Sequence, residues 1–192
     1  TAVALFYSGD YLARRGLGKG EYYVLTLTAL LGILVLSSAG SLLTVYVGIE
    51  LLSLSLYALV AFDRDSGIAA EAAMKYFVLG AIASGTLLYG MSLLYGLTGT
   101  LELGGLAQAF GSEPSLGLVL ALTFVVVAVA FKFGAAPFHM WVPDVYQGAP
   151  TAITLFIGSV PKIAAFGFAY RLLESGLGAT SAEWSQMVAW LA

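Results

Sequence analysis

Residues 116–140 read LGLVLALTFVVVAVAFKFGAAPFHM, and no charge interrupts them before Lys132. About 20 helical residues cross a hydrocarbon core about 30 Å thick, so the stretch is long enough to span a membrane. It nevertheless carries a lysine and, five positions later, a proline. Pro137 has no N–H to give the carbonyl of Phe133, and Gly134 softens the backbone between them. Irregular backbone at membrane depth survives only against protein or a water-lined cavity. The run Lys132–Pro137 is therefore expected to be a broken membrane helix, a form that marks the binding site in many carriers. A kink used for packing alone is the plainer alternative.

The rest of the chain supports the membrane class. Of 192 residues, 60% are hydrophobic and only 10% charged, against about a quarter charged in soluble domains. Too few polar residues remain to cover a soluble surface. Applying the same length rule outward predicts further spans at about 22–39, 41–62, 71–97 and 151–174, five with 116–140. The expectation is an all-α polytopic membrane protein forming a single transmembrane domain over 1–192. The apolar ends at 1–8 and 184–192 read as partial helices of a fragment. No cysteine is present, which excludes disulfides, iron–sulfur ligation and thiol chemistry within the chain. The net charge of -3 gives no reason to expect a nucleic-acid partner. The glycine-rich Gly16–Gly20 stretch lacks the strand and helix of a phosphate loop. Alternate loops hold Arg14, Arg15, Lys19 and Arg64, whereas the opposite side has only Arg171 near it. The positive-inside rule puts the Arg14 and Arg64 loops in the cytoplasm and the Glu102–Glu113 loop outside.

Three ionisable residues fall deep inside these spans. Glu50 is about 14 Å from one end of its helix, Lys162 about 17 Å and Lys132 about 24 Å, at 1.5 Å per residue. Each costs roughly 2.5–3.5 kcal/mol to insert, or about 8–10 kcal/mol for the three. Such charges face a bundle interior or hydrated cavity and mark ion paths. A static pair that fixes helix register is the alternative, but three sites on three helices exceed one pair. Lys75, one turn inside its helix, either snorkels to the interface, pairs with Glu71 at i, i+4, or approaches Glu50. Tyr46, Glu50, Ser53 and Tyr57 share one helix face, a polar stripe able to order water or simply to bond backbone. Ser84, with Gly80 and Gly85, reads as a small residue that lets a neighbouring helix approach. His139, the sole histidine, is expected near the cytoplasmic end of its helix, either as a proton relay or as a hydrogen-bonded structural residue. It has no companion ligands for a metal.

The segment Pro137–Thr151, PFHMWVPDVYQGAPT, resembles the proton-pumping, antiporter-like membrane subunits of respiratory complex I and their Mrp-type cation/proton antiporter relatives. The ending Asp144–Pro150 is most similar to the N-type branch of that family. Ala70–Leu79, Tyr89–Gly99 and Pro161–Phe166 add to the likeness, which extends over essentially the whole chain. The resemblance implies a glutamate–lysine pair at Glu50 and Lys75, and central lysines at Lys132 on a broken helix and at Lys162. It also implies a fold of two inverted repeats, of which these five helices would form the first.

From this resemblance the chain is expected to be a proton-translocating subunit of a bacterial inner-membrane NADH:quinone oxidoreductase, a translocase. It would carry no redox chemistry of its own. NADH, flavin, iron–sulfur clusters and quinone are expected in partner subunits, and the partners are the other membrane subunits of complex I and the lipid bilayer. Protons would pass Lys132 and Lys162, with His139 near the cytoplasmic mouth and Glu50 acting as a switch that pairs with or leaves Lys75 and so changes the charge felt at Lys132. Two charges about 4 Å apart interact by roughly 4 kcal/mol at an effective dielectric near 20, enough for such a switch. The alternatives are a stand-alone or Mrp-type antiporter subunit and a scaffold whose buried charges only lock helices together.

Overall fold

The structure is a computed structural model that describes residues 1–110 and 115–192. Glu113, placed above in the outward loop, lies outside the described residues. The helices are α1 (Ala2–Arg14), α2 (Gly20–Ser38), α3 (Leu42–Val60), α4 (Gly67–Thr98), α5 (Leu103–Ala109), α6 (Leu116–Phe133), α7 (Trp141–Gly148), α8 (Thr151–Ala169) and α9 (Ser181–Leu191). A π-helical stretch, Tyr170–Gly176, extends α8. Five of these elements are long and apolar enough to cross a membrane: α2, α3, α4, α6 and α8 with its extension. Each keeps an exposed apolar face, such as Leu27, Leu31 and Leu34 on α2 or Ile82 and Tyr89 on α4. In a membrane such a face meets lipid, so its exposure costs nothing there.

Local chemistry sets the helix ends. The hydroxyls of Ser41, Ser66 and Ser115 accept from the N–H groups of Thr44, Ala69 and Leu118, capping α3, α4 and α6. Gly99 closes α4 in the left-handed conformation, φ 70°, where a glycine costs least. α2 and α3 lie so close that a Cβ added at Gly32 would come 2.6 Å from the backbone nitrogen of Leu52. This is the close backbone approach that small residues permit in membranes.

Contacts between loops sort them into two ends. Arg64, after α3, donates to Glu21 at the start of α2 (3.3 Å), and the Thr151 N–H donates to the Tyr11 hydroxyl of α1 (3.2 Å). The Arg14, Arg64 and Ala149–Pro150 turns thus share one end. At the other end, Leu42 N–H donates to Leu101 O and Leu103 N–H to Gly40 O, while Arg171 donates to the Ala39 carbonyl at 3.2 Å.

The span expected over 116–140 is helical only to Phe133, and a second helix, α7, follows at Trp141–Gly148, where none was expected. α6 stops at Phe133, a connecting segment follows, and α7 carries the chain to the Arg14 end. His139 therefore lies at the break, not near the end of the span as expected. The eight residues of α7, about 12 Å of helix, separate it from that end. Pro137 is also not what stops α6. Gly134 adopts φ 69°, its N–H bonds the Phe131 carbonyl (3.0 Å), and the Ala135 N–H bonds that of Ala130 (2.9 Å). That pattern is a Schellman motif, which ends a helix wherever glycine takes the left-handed position.

Candidate functional site

Ending α6 inside the membrane leaves carbonyls without intrahelical donors. Lys162 supplies one, and Trp141 adds a second donor to a carbonyl that already accepts from the Gly134 N–H. Lys162 Nζ, from α8, donates to the Phe133 carbonyl at 2.6 Å, and Trp141 Nε1 donates to the Phe131 carbonyl at 3.0 Å. An ammonium at a helix C-terminus also meets the negative end of its dipole. The same ammonium stands 4.8 Å from the centre of the Trp141 ring, within cation–π range.

Lys132, on the last turn of α6, donates to Ser53 Oγ on α3 at 2.6 Å, and Ser53 Oγ in turn donates to the Ile49 carbonyl at 2.6 Å. Ser53 is one turn from Glu50 on the same face. Lys132, Lys162, Ser53, Tyr76, Trp141 and Pro161 all line one cavity of about 30 Å³. That is room for one or two waters with polar partners.

Glu50 accepts a hydrogen bond from Ser84 Oγ of α4, and Ser84 Oγ lies 3.0 Å from the Tyr46 hydroxyl. The stripe on α3 thus faces neighbouring helices: Tyr46 and Glu50 meet Ser84, Ser53 meets Lys132, and Tyr57 packs over Gly80. Lys75 does not reach Glu50. It pairs with Glu71 at 2.8 Å and with Asp144 of α7 at 2.8 Å. Ser84, which holds Glu50, is nine residues from Lys75, about 14 Å along α4. Glu50 is thus two to three turns beyond the level of Lys75.

The geometry brings Glu50, Lys132 and Lys162 into one connected region, with Lys75 two to three turns away along α4. His139 is exposed, and among the described residues its side chain makes no hydrogen bond to any of these groups. Ser84, Trp141 and Asp144 also belong to the site, though nothing in their spacing singled them out beforehand.

Residues 39–192 match the family model described as the transmembrane region of NADH:quinone oxidoreductase and Mrp antiporters. The chain belongs to this NADH:quinone oxidoreductase/Mrp antiporter family. Subunit N of the NADH-quinone oxidoreductase of Thiobacillus denitrificans is 61% identical over the whole of this chain, which covers 40% of that protein. The chain thus spans about two-fifths of the length of the curated relatives it matches. Among solved structures of the family, respiratory complex I from Thermus thermophilus matches with TM-score 0.72 and 45% identity, over 80% of this chain and 34% of that one. The Mrp complex from Dietzia matches with TM-score 0.75 and 26% identity, over 85% of this chain and 31% of that one. This chain shares the fold of those membrane proteins, and its own break lies between α6 and α7.

Proposed function

We propose that this chain is part of a proton-translocating membrane subunit of a bacterial NADH:quinone oxidoreductase, in which protons pass Lys132 and Lys162 at the break after α6. The observation that carries the proposal is the shared cavity, where two lysines from different helices meet at a helix end inside the membrane. Buried cations that serve packing need carboxylate partners. These two are held instead by a hydroxyl and a carbonyl, which hold a lysine whether or not it is charged. The likeness to subunit N sequences supports the assignment to the oxidoreductase.

In this reading a proton reaches Lys132, crosses by water in the cavity to Lys162, and continues into the remainder of the full-length protein. Glu50, one turn from Ser53, sets the field at Lys132. His139 lies on the exposed connecting segment at the break, α7 away from the cytoplasmic end, and this path gives it no step. Lys75 takes part through its ion pairs, now directed at Glu71 and Asp144. NADH, flavin, iron–sulfur clusters and quinone belong to partner subunits, and the energy comes from electron transfer there.

The test uses the full-length protein in its assembled complex, in sealed vesicles. Lys132→Met is expected to abolish proton uptake and coupled quinone reduction while the complex still assembles. Normal pumping by that variant would overturn the proposal and leave Lys132 a structural charge. A second reading, cation/proton antiport without redox partners, draws support from the likeness to the Mrp complex. Sodium-dependent proton exchange without NADH would favour it.

A further inference from the structure

The ion pair of Lys75 with Asp144 lies outside the lysine cavity, and the path proposed above names Asp144 only as a partner of Lys75. Lys75 Nζ stands 2.8 Å from Asp144 Oδ1, joining α4 to α7 across 69 residues of sequence. Three contacts in a row seat α7 on α4. Gly148 lies against Ala72, so close that an added Cβ would come 2.5 Å from the Ala72 Cβ. Asp144 holds Lys75, and the Trp141 ring stacks on Tyr76 at 4.6 Å and 16°. Positions 141, 144 and 148 follow helical spacing, so all three are on one face of α7.

The two sides of this row differ in chemistry. Gly148 and Trp141 hold the helices by packing, whereas the pair at the middle is 44% and 43% exposed. A pair that exposed adds little to stability. It does fix where α7 sits along α4, because an ion pair has a direction and a length that apolar contact lacks. One turn from Asp144, Trp141 walls the lysine cavity, bonds the Phe131 carbonyl and faces the Lys162 ammonium.

We propose that Asp144 is a positioning residue of the proton path, whose pairing with Lys75 sets α7, and so the Trp141 wall of the cavity that Lys132 and Lys162 share. The proposal rests on the proton-translocating reading given above. When Lys75 leaves Asp144, α7 loses its register and the ring moves relative to both lysines. Asp144 itself touches neither the cavity lysines nor the transferred proton.

The experiment takes the full-length protein in the assembled complex in sealed vesicles and measures protons taken up per NADH oxidised, with turnover. Asp144→Asn is expected to lower that ratio and to slow coupled turnover about fivefold, within the range produced by remote coupling substitutions. Asp144→Glu, which keeps the charge, is expected to retain both. The exchanged pair Lys75→Asp with Asp144→Lys is expected to recover most of the loss. An unchanged ratio in Asp144→Asn would overturn the proposal. So would an exchanged pair that assembles and still fails to pump. If Asp144→Asn does not assemble, the Asp144→Glu and exchanged-pair variants decide between the same two outcomes. Lys132→Met, measured alongside, separates the two readings. Pumping lost there but kept in Asp144→Asn sinks only the role of Asp144, whereas pumping kept in both sinks the proton path itself.

Discussion

Lys162 has two tasks that a single substitution can separate. Its ammonium supplies the donor that the end of α6 lacks, at 2.6 Å from the Phe133 carbonyl, and it borders the cavity shared with Lys132. Lys162→Met removes both. A backbone carbonyl left bare at membrane depth costs on the order of several kcal/mol, so the variant complex should unfold at a lower temperature as well as lose coupled turnover. Lys162→Arg keeps a donor and a positive charge but does not release its proton. Thermal unfolding of that variant should stay close to that of the unsubstituted complex while proton uptake falls. Equal losses of stability in the two variants would mean that the carbonyl contact contributes nothing. At this scale the sequence was informative about charge and about the local partner Glu71 of Lys75, 2.8 Å away, and silent about partners on other helices. Glu50, Lys132 and Lys162 stood out by depth alone, because a charge in an apolar run is anomalous whatever surrounds it. Asp144 did not stand out. A carboxylate at the start of a short helix is ordinary, and its pairing with Lys75 depends on how α7 lies on α4. Ser84 read as a packing residue for the same reason, since its bond to Glu50 joins two helices.

The break between α6 and α7 shows what a local motif decides and where tertiary structure takes over. Pro137 pointed to an interruption, and an interruption exists, but Gly134 fixes where it begins. Glycine in the left-handed position closes the Schellman motif three residues ahead of the proline, and only then does the chain need outside donors. A side chain at residue 134 fails on two counts. At φ 69° an L-residue is strained, and its Cβ would come 2.8 Å from Val142 Cγ2 and 3.2 Å from Lys162 Nζ. Gly134→Ala should therefore destabilise the assembled complex by about 1–2 kcal/mol and push the Lys162 ammonium off the Phe133 carbonyl. Both effects are measurable, by thermal unfolding and by the rate of coupled turnover. Turnover unchanged in a destabilised complex would separate the geometry of the break from proton transfer. Elsewhere the serine caps and Gly99 end the helices, signals that the length rule did not use, and Ser66 starts α4 ahead of the expected 71. The π-helical stretch after α8 was not legible, because nothing in Tyr170–Gly176 marks a change of hydrogen-bond register.

At the scale of the whole molecule, the loops divide into two ends by their own contacts, without any membrane present. Arg14, Arg64 and the turn after α7 gather at one end, and Gly40, Leu101 and Arg171 at the other. The sequence alone could predict this division only by counting spans, so a miscounted helix would have inverted it. The inter-loop hydrogen bonds remove that dependence. Which end faces the cytoplasm rests on charge. Lys and Arg are retained on the inner side of membranes, and the Arg14 end holds Arg14, Arg15, Lys19 and Arg64. Arg171 does not weaken this, because its guanidinium is spent on the Ala39 carbonyl at the end of α2 and sits against protein. The chain contains no cysteine, so single cysteines report cleanly on sidedness once any elsewhere in the full-length protein are removed. Asp65→Cys, beside Arg64, and Glu102→Cys, at the opposite end, are both exposed positions. A maleimide too polar to cross the membrane, added to intact cells, should label Glu102→Cys and spare Asp65→Cys. In inside-out vesicles the pattern should reverse. Labelling of Asp65→Cys from outside would invert the orientation, and with it the direction in which Lys132 passes protons to Lys162, while leaving the helix arrangement untouched.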